Sequence, residues 1–161
     1  PTEKARAAPR GVDAHCHLDD PVFDHDRAEV VAAARAAGIG QILVASADPR
    51  RWEAVRRVAR QHGLWHAVGI HPWWPRPDAL QHLPEALEGA VAVGETGLDY
   101  RRASTSAERR TQRALLDAQL EVAAARDLPV VLHAVDALPD VLAALRGSGL
   151  RAQLHGAARG D

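Results

Sequence analysis

The chain has 161 residues, enough for one domain with a sizeable core, and its formal net charge is −1. Bulk electrostatics therefore gives no indication of a nucleic-acid or membrane partner, although a local basic patch would be compatible with this charge. No apolar run approaches the ~20 residues of a membrane span, and the N-terminus lacks the apolar core of a signal peptide. A single cysteine cannot form an internal disulfide. We expect a cytoplasmic protein without a membrane partner.

Strands and helices alternate along the whole chain. Residues 1–10 are polar and contain two prolines, which predicts a loose arm before a single domain over residues 11–161. Strands are predicted at 11–16, 41–46, 64–70, 90–94, 129–133 and 150–155. Helices are predicted at 26–37, 50–61, 78–89, 105–127 and 137–146. This order is typical of a parallel α/β fold, either an open doubly wound sheet or most of a (β/α) barrel. A barrel normally has eight such units, so roughly its last quarter would be missing.

The first strand ends in the sequence DAHCHLD, which places two histidines two residues apart. Successive side chains of a strand point to opposite faces, so His15 and His17 emerge together and could converge on one cation. Cys16 points the other way and is expected to be buried. Taken alone, two unrelated histidines near a loop would be the commoner explanation.

Further polar residues follow the later strands. These candidates are His71 after the third strand, Glu95 after the fourth, His133 after the fifth and His155 after the sixth. The carboxyl ends of parallel strands meet at one face, so we expect all of these side chains around one mouth. Histidines with a carboxylate suit ions such as Zn, Mn, Fe or Ni. Two ions bridged by Glu95 would form a two-metal hydrolytic centre.

Five segments of the chain are distinctive: DAHCHLD, GIHPW, VGETGLDY, AERRTQRALLDAQLEVAAARDLPVVLHA and the ending HGAARG. Together they resemble the TatD family of metal-dependent deoxyribonucleases. The motifs occur in the family's order and spacing from about Gly11 to Gly160. The resemblance implies a TIM-type barrel and a metal-dependent activity that cleaves DNA, often from 3′ ends.

The resemblance also implies residue roles and a cofactor. His15 and His17 would hold a first metal, Glu95 would bridge the two metals, and His133 and His155 would hold the second. His71 would act beside the site as a catalytic or substrate-contacting residue rather than as a ligand. Asp99 and Tyr100 would lie at the mouth and contact substrate, although turn formation and packing explain them equally well. The cofactor would be two divalent ions, with Zn, Mn, Mg, Fe and Ni all left open.

The sequence departs from the family pattern in three places. Val135 stands where the family has an arginine two residues after the fifth-strand histidine, so a phosphate contact is lost or supplied elsewhere. Ala157 and Ala158 stand where an aromatic residue is usual after the sixth-strand histidine. The family's last ligand, an aspartate at the end of strand eight, has no counterpart, because Asp161 lies one strand too early. Either the chain is a fragment, or a partner chain completes the barrel, or the site is degenerate.

The sequence therefore predicts a metal-dependent hydrolase that cleaves phosphodiester bonds, most plausibly in DNA, by metal-activated water. Two alternatives remain open. One is hydrolysis of another ester or amide, such as removal of an aminoacyl group from tRNA. The other is an incomplete barrel that binds metal or nucleic acid without turnover. Trp73 and Trp74 could stack on an unpaired base, but packing over the barrel mouth explains them at least as well. Arg101 and Arg102 could bind phosphates, but an ordinary solvated surface explains them at least as well.

Overall fold

The computed structural model describes residues 11–158, and six parallel strands run through them in chain order. The strands are β1 (Gly11–Cys16), β2 (Ile39–Ala45), β3 (Trp65–Val68), β4 (Ala92–Asp99), β5 (Val130–Val135) and β6 (Ala152–Ala158). Each strand pairs in parallel with the next along the chain. The sheet curls into a nearly closed barrel, which confirms the predicted α/β barrel with about six of eight units present. The predicted arm 1–10 lies outside the described residues.

Five α-helices connect the strands on the outside of the sheet. They are α1 (Arg27–Ala36), α2 (Trp52–His62), α3 (Leu83–Ala86), α4 (Ser106–Ala125) and α5 (Leu138–Leu145). Short 3-10 turns at Pro21–Phe23, Pro49–Arg51 and Pro77–His82 lead into three of these connections. None of the helices in residues 11–158 is both long enough and apolar enough to cross a membrane.

The ends of the longest helices follow from local sequence. Thr105 caps α4: its side chain accepts a hydrogen bond from the backbone of Glu108, whose carboxylate bonds back to the Thr105 N–H. This reciprocal pair is the capping box that the spacing predicts. Helix α2 ends at Gly63, which adopts a left-handed conformation with φ of 62°. Glycine adopts that conformation without a Cβ penalty, so the chain can turn directly into β3.

The third helix and the fourth strand differ most from the prediction. The helix predicted over 78–89 is a 3-10 turn followed by the four-residue α3, and Pro84 at the first turn of α3 cannot donate a helical hydrogen bond. The fourth strand does not end at Gly94 but continues to Asp99, so Glu95 lies within β4 rather than at its end. The residues Gly94 and Gly97 made this stretch resemble a loop, yet both lie in the strand.

The apolar core has two layers. The main layer lies between strands and helices and contains fully buried side chains such as Val55, Val68 and Leu116. A smaller cluster inside the barrel consists of Leu43, Ala67, Ala92 and Val131. Within residues 11–158, β1 and β6 form the two ends of the sheet, so the barrel interior remains accessible beside this inner cluster.

Candidate metal centre

Glu95 is the centre around which the predicted histidines gather. Its carboxylate is 2% exposed, although burial of an ionised group is costly without partners. Oε2 lies 3.4 Å from Nε2 of His15 and 3.7 Å from Nε2 of His17. Oε1 lies 3.5 Å from Nε2 of His71 and 3.4 Å from Nδ1 of His133. Each carboxylate oxygen therefore faces its own pair of imidazoles.

His155 joins the site from β6. Its ring stacks on that of His15, with centroids 3.5 Å apart and an interplanar angle of 10°. The structure thus brings together all six predicted side chains from five strands or the loops that follow them. Two sets of side chains place their nitrogen and oxygen atoms close enough together to hold an ion: His15 with Glu95 and His155, and His71 with Glu95 and His133. This partition differs from the one implied by the resemblance, which pairs His15 with His17 and His133 with His155.

Hydrogen bonds determine which nitrogens of two histidines are free. Nδ1 of His17 lies 2.9 Å from the carbonyl oxygen of Ala45, which can only accept, so Nδ1 carries the hydrogen. Nε2 of His133 lies 3.1 Å from a carboxylate oxygen of Asp99 and carries the hydrogen for the same reason. In their neutral forms, His17 Nε2 and His133 Nδ1 are therefore acceptors that point at the acceptor oxygens of Glu95.

His71 has the opposite tautomer. Its Nδ1 accepts a hydrogen bond from the backbone N–H of Trp73 at 3.0 Å. Burial lowers the pKa of His71, only partly offset by the contact with Glu95, so the ring is held neutral. A neutral ring whose Nδ1 accepts must carry its hydrogen on Nε2, and this N–H faces Glu95. His71 is therefore a hydrogen-bond donor in the site rather than a free ligand nitrogen.

The ionisable groups at the centre shift one another's pKa values. Burial alone would raise the pKa of Glu95, but the neighbouring imidazoles of His133, His15 and His71 hold that pKa well below its ordinary value. Burial would lower the pKa of His133, but hydrogen bonds to Glu95 and Asp99 raise it. Burial and neighbouring His15 lower the pKa of His155. The centre thus keeps an ionised carboxylate beside imidazoles whose pKa values shift in opposite directions, downward for His71 and His155 and upward for His133.

This donor set fits a divalent metal ion. Two acceptor nitrogens and two carboxylate oxygens converge with few hydrogens between them, and a cation would replace the missing donors. In addition, the buried Nδ1 of His15 has no hydrogen-bond partner among the described residues. Imidazole and carboxylate ligands suit borderline ions such as Zn and Mn. The buried histidine and glutamate groups are therefore compatible with divalent metal binding.

Asp99 holds His133 from outside the centre. Its Oδ2 accepts from His133 and also from the indole N–H of Trp73 at 2.6 Å. Its Oδ1 accepts from the backbone of Arg102 at 3.0 Å, and its own N–H donates to Gln112 at 2.9 Å. Carboxylates bonded to the second nitrogen of a ligand histidine commonly fix its tautomer and raise its basicity.

Tyr100 makes its contacts away from the histidine cluster. Its hydroxyl donates to Asp140 at 2.5 Å, and the guanidinium of Arg109 lies 4.5 Å above its ring. Burial and the Asp140 carboxylate raise the pKa of Tyr100 to about 12. These contacts tie β4 to α5 rather than to the histidines, as the packing explanation of this residue predicts.

Sequence reasoning missed two glutamines that fix the strand ends. Gln112 and Gln119 lie seven residues apart on the buried face of α4, a polar interruption of an apolar stripe that could have been noticed. Gln119 is fully buried and bonds both backbone groups of Ile70, just before His71. Gln112 donates to the carbonyl of Pro72 at 3.1 Å. Together they position the loop that carries His71 and Trp73.

The comparisons with known proteins agree on one family. The family model described as TatD related DNase matches residues 12–158. The "Uncharacterized metal-dependent hydrolase YjjV" of Escherichia coli is 38% identical over 132 residues, which is 77% of this chain and 50% of that protein. The "3'-5' ssDNA/RNA exonuclease TatD" of Klebsiella pneumoniae is 36% identical over 137 residues, 81% of this chain and 51% of that protein. The chain thus spans about half the length of these curated relatives.

Solved structures give the same result. The crystal structure of the Escherichia coli YjjV protein superimposes with a TM-score of 0.83 at 32% identity, covering 94% of this chain and 62% of that one. A TatD family hydrolase from Entamoeba histolytica superimposes with a TM-score of 0.78 over 88% of this chain and 55% of that one. At 20% identity, this second likeness concerns the fold alone.

Proposed function

We propose that this chain, which belongs to the family of TatD-related DNases, is part of a metal-dependent phosphodiesterase. Its substrate would be single-stranded nucleic acid. The observation that carries the proposal is the convergence of acceptor nitrogens on both oxygens of the buried Glu95. The relative in Klebsiella pneumoniae named for single-stranded DNA and RNA supports the substrate class.

The predicted ligands His15, His17, Glu95, His133 and His155 would together hold two divalent ions. His15, His17 and His155 would serve the Oε2 side, and His133 would serve the Oε1 side. Such a pair of ions supplies an activated water nucleophile and stabilises negative charge on the phosphoryl oxygens. The candidate ions are Zn, Mn, Mg, Fe and Ni.

The chain's own residues would prepare the substrate. The Nε2–H of His71 is aimed into the centre and would donate a hydrogen bond to a phosphoryl oxygen or to the attacking water. Asp99 would keep the hydrogen of His133 on Nε2, leaving Nδ1 free for ligation. His71 and Glu95 are only 3% and 2% exposed, and this exclusion of bulk water would strengthen their electrostatic interactions.

We also propose that further protein, either more of the same polypeptide or a second chain, completes the barrel. A cleft of about 560 Å³ lies at the amino-terminal ends of the strands, and Val12, Trp65 and Val131 are among its lining residues. Val12 and Trp65 are 54% and 43% exposed there. Added strands would cover this apolar surface and could supply the aspartate ligand that the family carries. Light scattering after gel filtration distinguishes a monomer from an assembly of two chains.

The experiment that tests the function is a cleavage assay with matched variants. The purified protein is loaded with Mn or Zn and given 3′-labelled single-stranded DNA, RNA and an aminoacyl ester, with and without a chelator. We expect metal-dependent release of 3′ nucleotides, reduced at least ~100-fold in E95Q because charge stabilisation at the reacting centre is lost. The exposed E121Q is the matched control and should retain wild-type activity.

Two outcomes would contradict the proposal. If metal-loaded wild-type protein cleaves only the aminoacyl ester, the substrate class is wrong. If it binds metal stoichiometrically but cleaves nothing, the described residues form a binding site without turnover.

A further inference from the structure

A cleft beside the histidine cluster has no assigned role. It lies between the loop after β3 and the first half of α4, and its volume is about 420 Å³. Its lining includes Trp73, Arg102, Glu108 and Thr111. This volume falls within the range of small-ligand sites. The cleft adjoins the proposed metal centre without containing any of its ligands.

Trp73 forms the boundary between the cleft and the centre. Its ring centroid lies 5.0 Å from that of His71 and 5.9 Å from that of His133. The indole N–H is fixed on Asp99, yet 41% of the residue remains exposed. A large aromatic surface is therefore held rigidly at the mouth, one ring away from the histidines.

Arg102 covers part of that ring. Its guanidinium carbon lies 4.1 Å from the centroid of Trp73, a distance typical of cation–π stacking. The Arg102 side chain makes no ion pair with any carboxylate in residues 11–158. The adjacent Arg101 differs, since it pairs with Asp136 at 3.3 Å. The Arg102 guanidinium thus keeps its hydrogen-bond donors free for a ligand.

We propose that Trp73 and Arg102 bind one unpaired nucleobase of the substrate strand, next to the phosphodiester at the histidine cluster. This inference rests on the proposed function and adds a residue-level basis for strand selection. Every base has a flat π-face that can stack on tryptophan or on a guanidinium plane. A base already paired and stacked in a duplex cannot enter the cleft, so the subsite selects single strands.

The polar groups of the cleft favour a base over a phosphate. Glu108 lies on the cleft wall, and its carboxylate, already engaged by Thr105, would repel a phosphate. The same carboxylate can accept hydrogen bonds from a base edge, and so can the hydroxyl oxygen of Thr111, which donates its own hydrogen to the carbonyl of Ala107 at 3.2 Å. The cleft thus combines flat stacking surfaces with a mixed polar wall, which matches a nucleobase.

The test measures oligonucleotide binding by fluorescence anisotropy, in chelator so that no turnover occurs. The variants are W73A, W73F and R102A, and the probes are a single strand, the same strand with an abasic 3′ position, and a duplex. We expect W73A to weaken single-strand binding by about 5- to 150-fold, the range for loss of one stacked base. W73F should retain most of the affinity because it keeps a ring, and R102A should fall between the two.

Matched controls come from the opposite end of the barrel and from α4. Trp65 is as exposed as Trp73, at 43% against 41%, but lies at the start of β3. W65A, checked by gel filtration to have the wild-type assembly state, should bind the single strand as the wild type does, and so should R110A on the exposed face of α4. The abasic probe should bind wild-type protein about as weakly as the normal probe binds W73A.

Three results overturn the inference: equal effects of W73A and W65A, undiminished binding of the abasic probe, or a W73F loss as large as that of W73A. A small phosphodiester without a nucleobase, methyl p-nitrophenyl phosphate, separates this failure from failure of the proposed function. If the wild-type protein hydrolyses this ester with Mn but one of the three results is observed, the proposed function stands and the nucleobase subsite is refuted. If the wild-type protein hydrolyses neither this ester nor DNA, the proposed function is refuted, and so is the nucleobase subsite that rests on it.

Discussion

The carboxylate of Asp99 lies 3.1 Å from Nε2 of His133, and this contact fixes which nitrogen of the imidazole carries the hydrogen. Because a carboxylate can only accept, Nδ1 is left with its lone pair toward Glu95. D99N replaces a charged acceptor with an amide that can also present a donor. We expect metal affinity to fall about 10- to 100-fold, the usual effect of losing such a partner. Isothermal titration with Zn or Mn measures it, and the exposed D117N, which should bind normally, is the control.

The same residue predicts a pH dependence of stability in the metal-free protein. Burial would raise the pKa of Asp99, but bonds from Trp73 and His133 lower it below its ordinary value. A lowered folded-state pKa contributes stability above the unfolded pKa of about 3.9, and this contribution is lost as pH falls through the folded pKa. Urea unfolding of wild type and D99N should therefore show a gap at pH 7 that narrows below about pH 4. A gap that is constant or that widens in acid contradicts this assignment.

Substitution of Gln119 should lower the stability of the protein without altering any predicted metal ligand. Its side chain accepts from the backbone N–H of Ile70 at 2.6 Å and lies 2.7 Å from the hydroxyl of Thr96. Q119L keeps the approximate volume but leaves buried backbone groups without partners, at a cost of about 2–4 kcal/mol in the free energy of unfolding. Q81L on the surface should change it by less than about 0.5 kcal/mol. Chemical denaturation measures both, and equal effects would contradict the role given to Gln119.

Gly97 predicts a steric effect at the centre. A Cβ at this position would lie against the carbonyl oxygen of His133, and the backbone φ of 139° is itself unfavourable for other residues. G97A should push β5 away and cost at least about 3 kcal/mol in the free energy of unfolding. Gly149 also has positive φ, at 69°, but open space around it, so G149A should cost about 1 kcal/mol. Thermal unfolding of both variants separates crowding from backbone strain.

Cys16 predicts slow thiol chemistry in the folded protein. Burial is the main reason that the pKa of its thiol is raised from 9.0 to about 11. The thiolate fraction near pH 8 is then roughly 100-fold smaller than for an unperturbed thiol, and alkylation slows in proportion. Iodoacetamide labelling followed by mass spectrometry should give slow modification that becomes fast in urea. Rapid labelling of the folded chain would show that β1 opens readily.

Most of the fold could be predicted because the strands and long helices carry strong patterns. The run QILVAS is continuously apolar, and β2 is buried on both faces as such runs predict. Thr105 and Glu108 marked the start of α4 correctly. The region after Trp74 was not predictable in this way, since prolines at 77 and 84 break a helical pattern that the apolar spacing alone would continue.

At the centre, the sequence could indicate which side chains gather but not how they pair. A position in or just after a parallel strand sufficed to predict that Glu95, His71 and His133 gather, although Glu95 and His133 lie within their strands. The stack of His155 on His15 depends on how far the sheet curls, and no local pattern encodes that curvature. The bond from Trp73 to Asp99 joins residues 26 apart in the chain, through a loop whose path is fixed by Gln112. Such contacts follow from tertiary packing rather than from spacing.

The consecutive order of the six strands has a consequence for biosynthesis. Every strand is added beside the one made just before it, so each βα unit can dock as it leaves the ribosome, without waiting for a distant partner. The centre is the exception, because His15 belongs to the first strand and His155 to the last. A growing chain therefore carries five of the described strands before His155 can reach His15, so the cluster of histidines around Glu95 assembles late in synthesis.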